Sequence, residues 1–553
     1  YELVYPGKMD EKEVLAGSGE GKFLRLERVF SCGGEEPWRN LLVFGDNLEF
    51  LRSVYQEEDP LTRGQVKGKV NLIYIDPPFA TSDEFRNQEG AWAYQDKRTG
   101  AKFLEFLRRR LILAREILAP EGSIFLHLDQ KMSHPVKVIM DEVFGRSNFR
   151  NEIAWCYTGP SQAGKYFPRK HDTILFYSRS ADYYFDPPRV RHKSGVHNSG
   201  QLFGAVGEET GKKEAMEKQG KRVEDWWTDI WSCDRYRGEL AGYPTQKPEE
   251  LLRRIILAAT REGDLVMDFF AGSGTTAVAA EKLGRRWVLC DEGKLSIAVC
   301  QRRLLAIGEG KDLKSIEQRP PKYGKECRPF GVYRLASQDE ENWSCPAPPG
   351  VGARIEERAG ELVLAVTEFC SCETQTGKRG KKREGNFGDL AGILTGAGRE
   401  DGSFEIREFY FADHLKPEGG KICIPLAGME KDGEIQAVFL DIYGNETKRQ
   451  FPCPGIYIMA GTRRRRKENT GPVPVRYYDY SLVAVLVFLV CFGLVMLYST
   501  SAYTALIENE DSMYYFKRQI LFCGAGVVII YVVSRINYHW YIGKAKAIYF
   551  FSL

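Results

Sequence analysis

This sequence predicts an α/β fold on a doubly wound sheet, and three observations predict it. From about residue 41 to 317, short apolar runs alternate with amphipathic stretches. Several of the apolar runs end on an acid, notably at Asp76, Asp268 and Asp291. A glycine turn, Gly272-Ser273-Gly274, joins one such run to a helical pattern. Runs of four to eight apolar residues alternating with longer amphipathic segments are the signature of parallel strands linked by helices.

The elements follow in order. Strands are predicted over 70–75, 123–128, 151–157, 173–178, 264–268 and 286–290, and helices over 101–118, 132–144, 248–261, 275–283 and 293–306. Ligands of such sheets lie outside the carboxyl ends of the strands. Asp76, Asp268 and Asp291 all fall there, so the three acids are expected to converge. Residues 1–40 are mixed and glycine-containing and read as an irregular arm. The stretch 180–242 is polar and poorly periodic, with Trp226, Trp227 and Trp231 set among basic residues. Those tryptophans need burial or a base to stack on, which argues against full disorder. Residues 318–457 carry glycines and short β-rich segments and read as a small β domain.

Composition bounds the function. The chain has 553 residues, enough for three or four domains. Hydrophobic residues make up 43% and the net charge is only +3, so any nucleic-acid surface must come from local patches such as Arg108-Arg109-Arg110 or Lys378 to Arg383. The 13 cysteines show no zinc-like spacing and read as reduced thiols; no metal site is expected.

Two motifs carry the chemistry. Asp76-Pro77-Pro78-Phe79 follows the apolar run Val70 to Ile75. The Asp carboxylate can accept one hydrogen of a planar amine, and a proline carbonyl the other. Phe79 can then cover the ring, since base stacking is worth about 1–3 kcal/mol. A simple turn with an N-capping Asp uses the same residues. The second motif runs from Leu265 through Asp268, Phe270, Gly272 and Gly274 to Thr276, as strand, glycine turn and helix start. Asp291 lies 23 positions after Asp268 at the end of the next apolar run. That separation is the one at which a second-strand acid meets ribose hydroxyls, so a nucleoside-cofactor site is predicted.

In this order the two motifs resemble the β-class of amino-methylating DNA methyltransferases. The segment Asn40 to Leu48 (NLLVFGDNL), the segment Tyr243-Pro244-Thr245-Gln246-Lys247-Pro248, and residues 155–178 resemble further parts of that family. Val438 to Thr447 resembles the tail of methylation subunits of type III restriction systems. The likeness spans about residues 20–455. It implies a Rossmann-like S-adenosylmethionine (SAM)-dependent methyltransferase sheet over 41–317, with 180–242 as target-recognition insert. It also implies methyl transfer to the N6 amine of a flipped adenine in double-stranded DNA. Asp76, Pro77, Pro78 and Phe79 would bind the base; Asp268, Phe270, Gly272, Gly274, Asp291, Asp46 and Lys247 would bind the cofactor. A restriction subunit and a second copy of the chain are the implied partners. Cytosine N4, RNA or a protein amide remain alternative acceptors, since each offers a planar amine; the leading Asp tilts the reading toward adenine.

The tail differs from the rest. Ser481 to Tyr498 has no charged residue, and Gln519 to Ser534 is similarly apolar. About 20 apolar residues cross a bilayer as helix, so two transmembrane helices are predicted after a basic linker over 458–480. Arg463 to Lys467 would be the cytoplasmic flank. Tyr478 to Leu482, Gly493 to Ser499 and Lys517-Arg518-Gln519 resemble the start of the FtsW/RodA family of shape and division membrane proteins. Met459 resembles a start codon of that second protein, so the two parts are expected to join near residue 458. The methyltransferase part is then expected in the cytoplasm and the tail in the cell membrane. A non-enzymatic membrane component of division, in which only the tail matters, is the rival reading.

Overall fold

A computed structural model of the chain describes residues 2–452 apart from 18–21, 32–37, 79–83, 87–91, 96–99, 158, 160–163, 191–220, 234–238, 316–319, 337–347, 359–360, 372–374, 377–381, 384–386, 400, 413–414, 418–419 and 427–434; for 84–86, 92–95, 190, 221, 375–376 and 382–383 it describes the backbone alone. The expectations for Phe79, for the run Lys378 to Arg383, for most of the recognition insert and for the apolar tail therefore fall wholly or largely outside the described residues. The chain divides into two units, Tyr1–Ile458 and Met459–Leu553.

The core strands are β1 (Asn40–Phe44), β2 (Val70–Ile75), β3 (Leu118–Leu128), β4 (Phe149–Cys156), β5 (His171–Ser178), β6 (Leu265–Asp268) and β7 (Arg286–Asp291). The helices are α1 (Asn47–Gln56), α2 (Ala101–Ile117), α3 (Ser133–Phe144), α4 (Glu249–Ala259), α5 (Thr275–Lys282) and α6 (Lys294–Leu305). The strand order is β4-β5-β3-β2-β6-β7-β1. β3, β2, β6, β7 and β1 are parallel, β5 runs antiparallel to β3, and β4 antiparallel to β5.

Strand periodicity explains the layering. Successive strand side chains point to opposite faces. Leu72 and Tyr74 of β2 join a core with Leu251 and Ile255 of α4 and Ala277 and Ala280 of α5. Ile73 and Ile75 join a second core with Phe50 of α1, Leu107 and Leu111 of α2 and Ile139 of α3. Both faces of the parallel sheet are thus covered, as such sheets require.

Three expectations need correction. The first 40 residues are not an irregular arm, because Glu11–Ala16 is helical and Phe23–Phe30 is a strand. Residues 318–452 do not form a detached β domain. Beyond β1 the same sheet continues through Phe330–Ala336, Phe23–Phe30, Phe404–Phe411, Leu390–Gly398, Ile435–Asp441 and Glu446–Phe451, and at the other edge the short strand Trp226–Trp227 pairs with β4, giving fourteen strands among the described residues. A separate three-stranded sheet, Gly350–Arg358, Glu361–Cys370 and Ile422–Pro425, packs beside it through a third core. Arg108 and Arg110 are buried rather than offered to a polyanion. Arg108 donates to Glu142 and to the Met9 carbonyl, and Arg110 to Asn47. Among the described residues, no helix is long and apolar enough to cross a membrane.

Candidate active site

β2, β6 and β7 are adjacent and parallel, so the acids at their carboxyl ends must approach one another. Asp76, Asp268 and Asp291 line one cavity of about 990 Å³, its open mouth included. Pro77, Pro78, Phe270, Gly272 and Lys247 line it too. The convergence expected of the three acids is therefore present in the fold.

Asp76 is held on one side only. Its Oδ2 accepts from Lys247 Nζ at 2.5 Å, while Oδ1 is buried with no hydrogen-bond partner among the described residues. A buried, unpaired carboxylate oxygen is costly and marks a place where a donor belongs. Asp268 is anchored differently: Oδ1 accepts from Phe270 N at 2.9 Å and Oδ2 from Thr276 Oγ1 at 2.6 Å. Burial raises its pKa to about 7, the Thr276 and Phe270 bonds working against that and the charges of Asp76 and Asp291 adding to it. Asp291 accepts from Gly272 N and Gly293 N, both at 2.8 Å. Burial lifts its pKa to about 6 despite these bonds.

The glycine turn depends on conformations that side chains resist. Gly272 has φ +51° and Gly274 φ +72°. A Cβ on Gly274 would sit 2.7 Å from Cys300 Sγ. Gly274 thus seats α6 against the turn and is not among the cavity's lining residues, whereas Gly272 is. Asp46 is likewise set back from the cavity wall. It is the N-cap of α1, accepting from Leu48 N and Glu49 N, and its neighbour Asn47 lines the cavity instead. Asn47 donates to the Phe269 carbonyl at 2.6 Å and accepts from Arg110 Nε at 2.6 Å.

The Tyr243 to Pro248 segment closes the site. Thr245 adopts φ +58°, a rare conformation for a β-branched residue, and lines the cavity. Gln246 accepts from Ala241 N and donates to the Glu239 carbonyl, which locks the loop. Behind Asp76, buried Tyr74 shares a hydrogen bond with His127 Nδ1 at 2.9 Å, and His127 Nε2 with Asp172 at 3.1 Å. Burial tends to raise the Asp172 pKa, but bonds from His127 and Tyr157 and the charges of His127 and Lys247 hold it below its ordinary value. Tyr74, Asn47 and Glu292 were not assigned to the site by sequence reasoning, and Arg110 was read only as part of a basic patch; Asn47 lay inside the segment Asn40 to Leu48 and Glu292 directly after Asp291.

Residues 70–301 match a family of N6/N4 methyltransferases described as DNA methylase. The type II methyltransferase M.EcaI of Enterobacter cloacae is 30% identical over 365 residues, covering 55% of this chain and 78% of that protein. The chain belongs to the DNA methylase family. M2.DpnII of Streptococcus pneumoniae, also a type II methyltransferase, is 30% identical over 49% of this chain and 91% of that protein. A probable type III HindVI Mod subunit of Haemophilus influenzae is 23% identical, covering 50% of this chain and 51% of its own length. Among solved structures, the M1.HpyAVI–SAM complex aligns at TM-score 0.33 and 18% identity over 48% of this chain and 98% of that one. Residues 480–553 match a second family, FtsW/RodA/SpoVE, described as cell cycle protein. The methylase is a SAM-dependent DNA methyltransferase carrying, at its carboxyl end, a segment of a second protein family. Its cavity suits such a cofactor: a positive-φ glycine turn, a partly buried acid at the end of β7 and a further carboxylate, Glu292, lie together on one wall.

Proposed function

We propose that this methylase modifies the N6 amine of adenine in duplex DNA, within a restriction-modification system. The single observation that carries the reading is the buried Oδ1 of Asp76, without a hydrogen-bond partner among the described residues, in the cavity that the Gly272 turn also lines. An exocyclic amine is a poor nucleophile because its lone pair is conjugated into the ring. Asp76 Oδ1 accepts one of its hydrogens and a carbonyl of the Pro77-Pro78 pair the other, which draws the nitrogen toward tetrahedral geometry. The cofactor would supply an electrophilic methyl group on a sulfonium: as the N–CH3 bond forms, the S–CH3 bond breaks with its electron pair left on sulfur, and the amine releases one proton toward Asp76 Oδ1 or solvent. Alignment at about 3–3.5 Å can contribute roughly 7–11 kcal/mol to the barrier reduction. Phe79 is assigned to stacking on the base. Asp268, Phe270, Gly272 and Asp291 are assigned to the cofactor wall; Gly274 and Asp46 act one layer behind it, by seating α6 and by starting α1.

The target base must leave the duplex, at a cost of a few kcal/mol. Support for a nucleic-acid face comes from the segment preceding β5. Tyr166 and Phe167 are 62% and 95% exposed, Arg169 lies over the Tyr166 ring, and Lys165 and Lys170 flank them. Exposed rings interleaved with cations fit bases and phosphates. Trp226 and Trp231 are also exposed, while Trp227 is buried beneath Arg254. The relatives named as type II enzymes and as a Mod subunit support the restriction-modification setting and a restriction subunit as partner; a second copy of the chain is proposed on the family resemblance alone.

The test is transfer of tritiated methyl groups to duplex DNA, followed by chromatography of the nucleosides. N6-methyladenine is expected, and Asp76→Ala should abolish transfer while still binding the cofactor. Recovery of N4-methylcytosine would replace the base assignment; full activity of Asp76→Ala would overturn the site. For residues 481–553 we infer insertion in the cell membrane, on their apolar runs and their family match, with the methyltransferase part in the cytoplasm.

A further inference from the structure

Lys247 lies between the two halves of the site. Its ammonium donates to Asp76 Oδ2 at 2.5 Å, with the two side chains only 10% and 19% exposed. Its backbone carbonyl accepts from Thr275 Oγ1 at 3.1 Å, and Thr275 is the first residue of α5 after the glycine turn. One residue thus fastens the carboxylate at the end of β2 to the turn that follows β6. The groups around Asp76 are otherwise mostly acidic or neutral: Tyr74 on its own strand, Asp268 on β6, and Asp172 on β5, itself within reach of the Lys247 charge.

We propose that Lys247 is a positioning residue for the base-gripping carboxylate rather than a cofactor ligand. By taking Oδ2 it leaves Oδ1 as the one acceptor open to the target amine, and it supplies the positive charge that an acid-rich cavity needs beside an ionised Asp76. Its carbonyl holds the same arrangement in register with the cofactor turn. The inference rests on the assignment of Asp76 to the target amine.

Three readings of the full-length chain separate the possibilities: cofactor affinity by calorimetry, single-turnover transfer rate, and KM for DNA. Lys247→Met should lower the transfer rate by about 100-fold, the scale of losing one partner of a buried ion pair, with cofactor Kd changed by less than about threefold. Lys247→Arg, which keeps the charge, should recover at least about a tenth of the parent rate. If Lys247→Met does not fold, Lys247→Gln carries the same comparison. A cofactor Kd that rises in step with the lost activity would overturn the inference, as would an unchanged transfer rate. Asp76→Ala, which removes the acceptor, distinguishes the two levels. If it remains active, the base assignment itself fails. If it is inactive while Lys247→Met matches the parent, only the role of Lys247 fails.

Discussion

Asp268 shows how the cavity is set by single residues. Burial raises its pKa from 3.8 to about 7 in the folded chain. Between those values the folded state binds more protons than the unfolded state, so this group's contribution to stability declines as pH rises through that window. Asp268→Asn removes the ionisation but keeps the size. Relative to the parent, its melting temperature should therefore be more favourable at about pH 8 than at about pH 5. Thermal unfolding at both pH values checks this, and a pH-independent difference would refute it. The same residue scale explains what could be read directly from the chain. Asp76, Asp268 and Asp291 each end an apolar run, a local pattern, so their convergence was visible in advance. Arg108 and Arg110 misled because carboxylates that pair with them are distant in sequence: Glu142 is 34 positions from Arg108, and Asp46 is 64 from Arg110.

At the scale of elements, the glycine turn is fitted as much to α6 as to a ligand. Gly274→Ala brings a Cβ within 2.7 Å of Cys300 Sγ at a φ of +72°. The combined overpacking and backbone strain should cost about 1–3 kcal/mol, measurable by urea unfolding. Cys300→Ala in the same chain should restore part of the loss; no restoration would place the cost in the backbone alone. Helix and strand positions followed from the apolar period: 101–118 was expected where Ala101–Ile117 is helical, and 70–75 where Val70–Ile75 is a strand. Phe23–Phe30 escaped because its pattern is broken by Arg25, Glu27 and Arg28. Arg28 is buried all the same, and its guanidinium pairs with Glu446, 418 positions away. No local pattern can reveal such a partner.

For the whole molecule, the methyltransferase sheet and the residues after 318 are one structure, while residues 459–553 fall in a separate unit. A chain ending at residue 458 should retain transfer activity and stay in the supernatant after ultracentrifugation; the full chain should sediment with membranes. Equal sedimentation of the two would remove the case for an apolar anchor. The family of the tail was legible because Tyr478 to Leu482, Gly493 to Ser499 and Lys517-Arg518-Gln519 resemble its start. The continuity of the sheet past residue 318 was not, because strand pairing between distant segments leaves no periodic trace.

The strand Phe23–Phe30 lies between Phe330–Ala336 and Phe404–Phe411. It is made before both neighbours, which follow some 300 and 380 residues later. At roughly 5–20 residues per second it waits about 15–60 s with neither edge occupied. This part of the sheet therefore cannot close until residue 336 has been made, and a nascent-chain chaperone has a defined ribbon to shield during the delay.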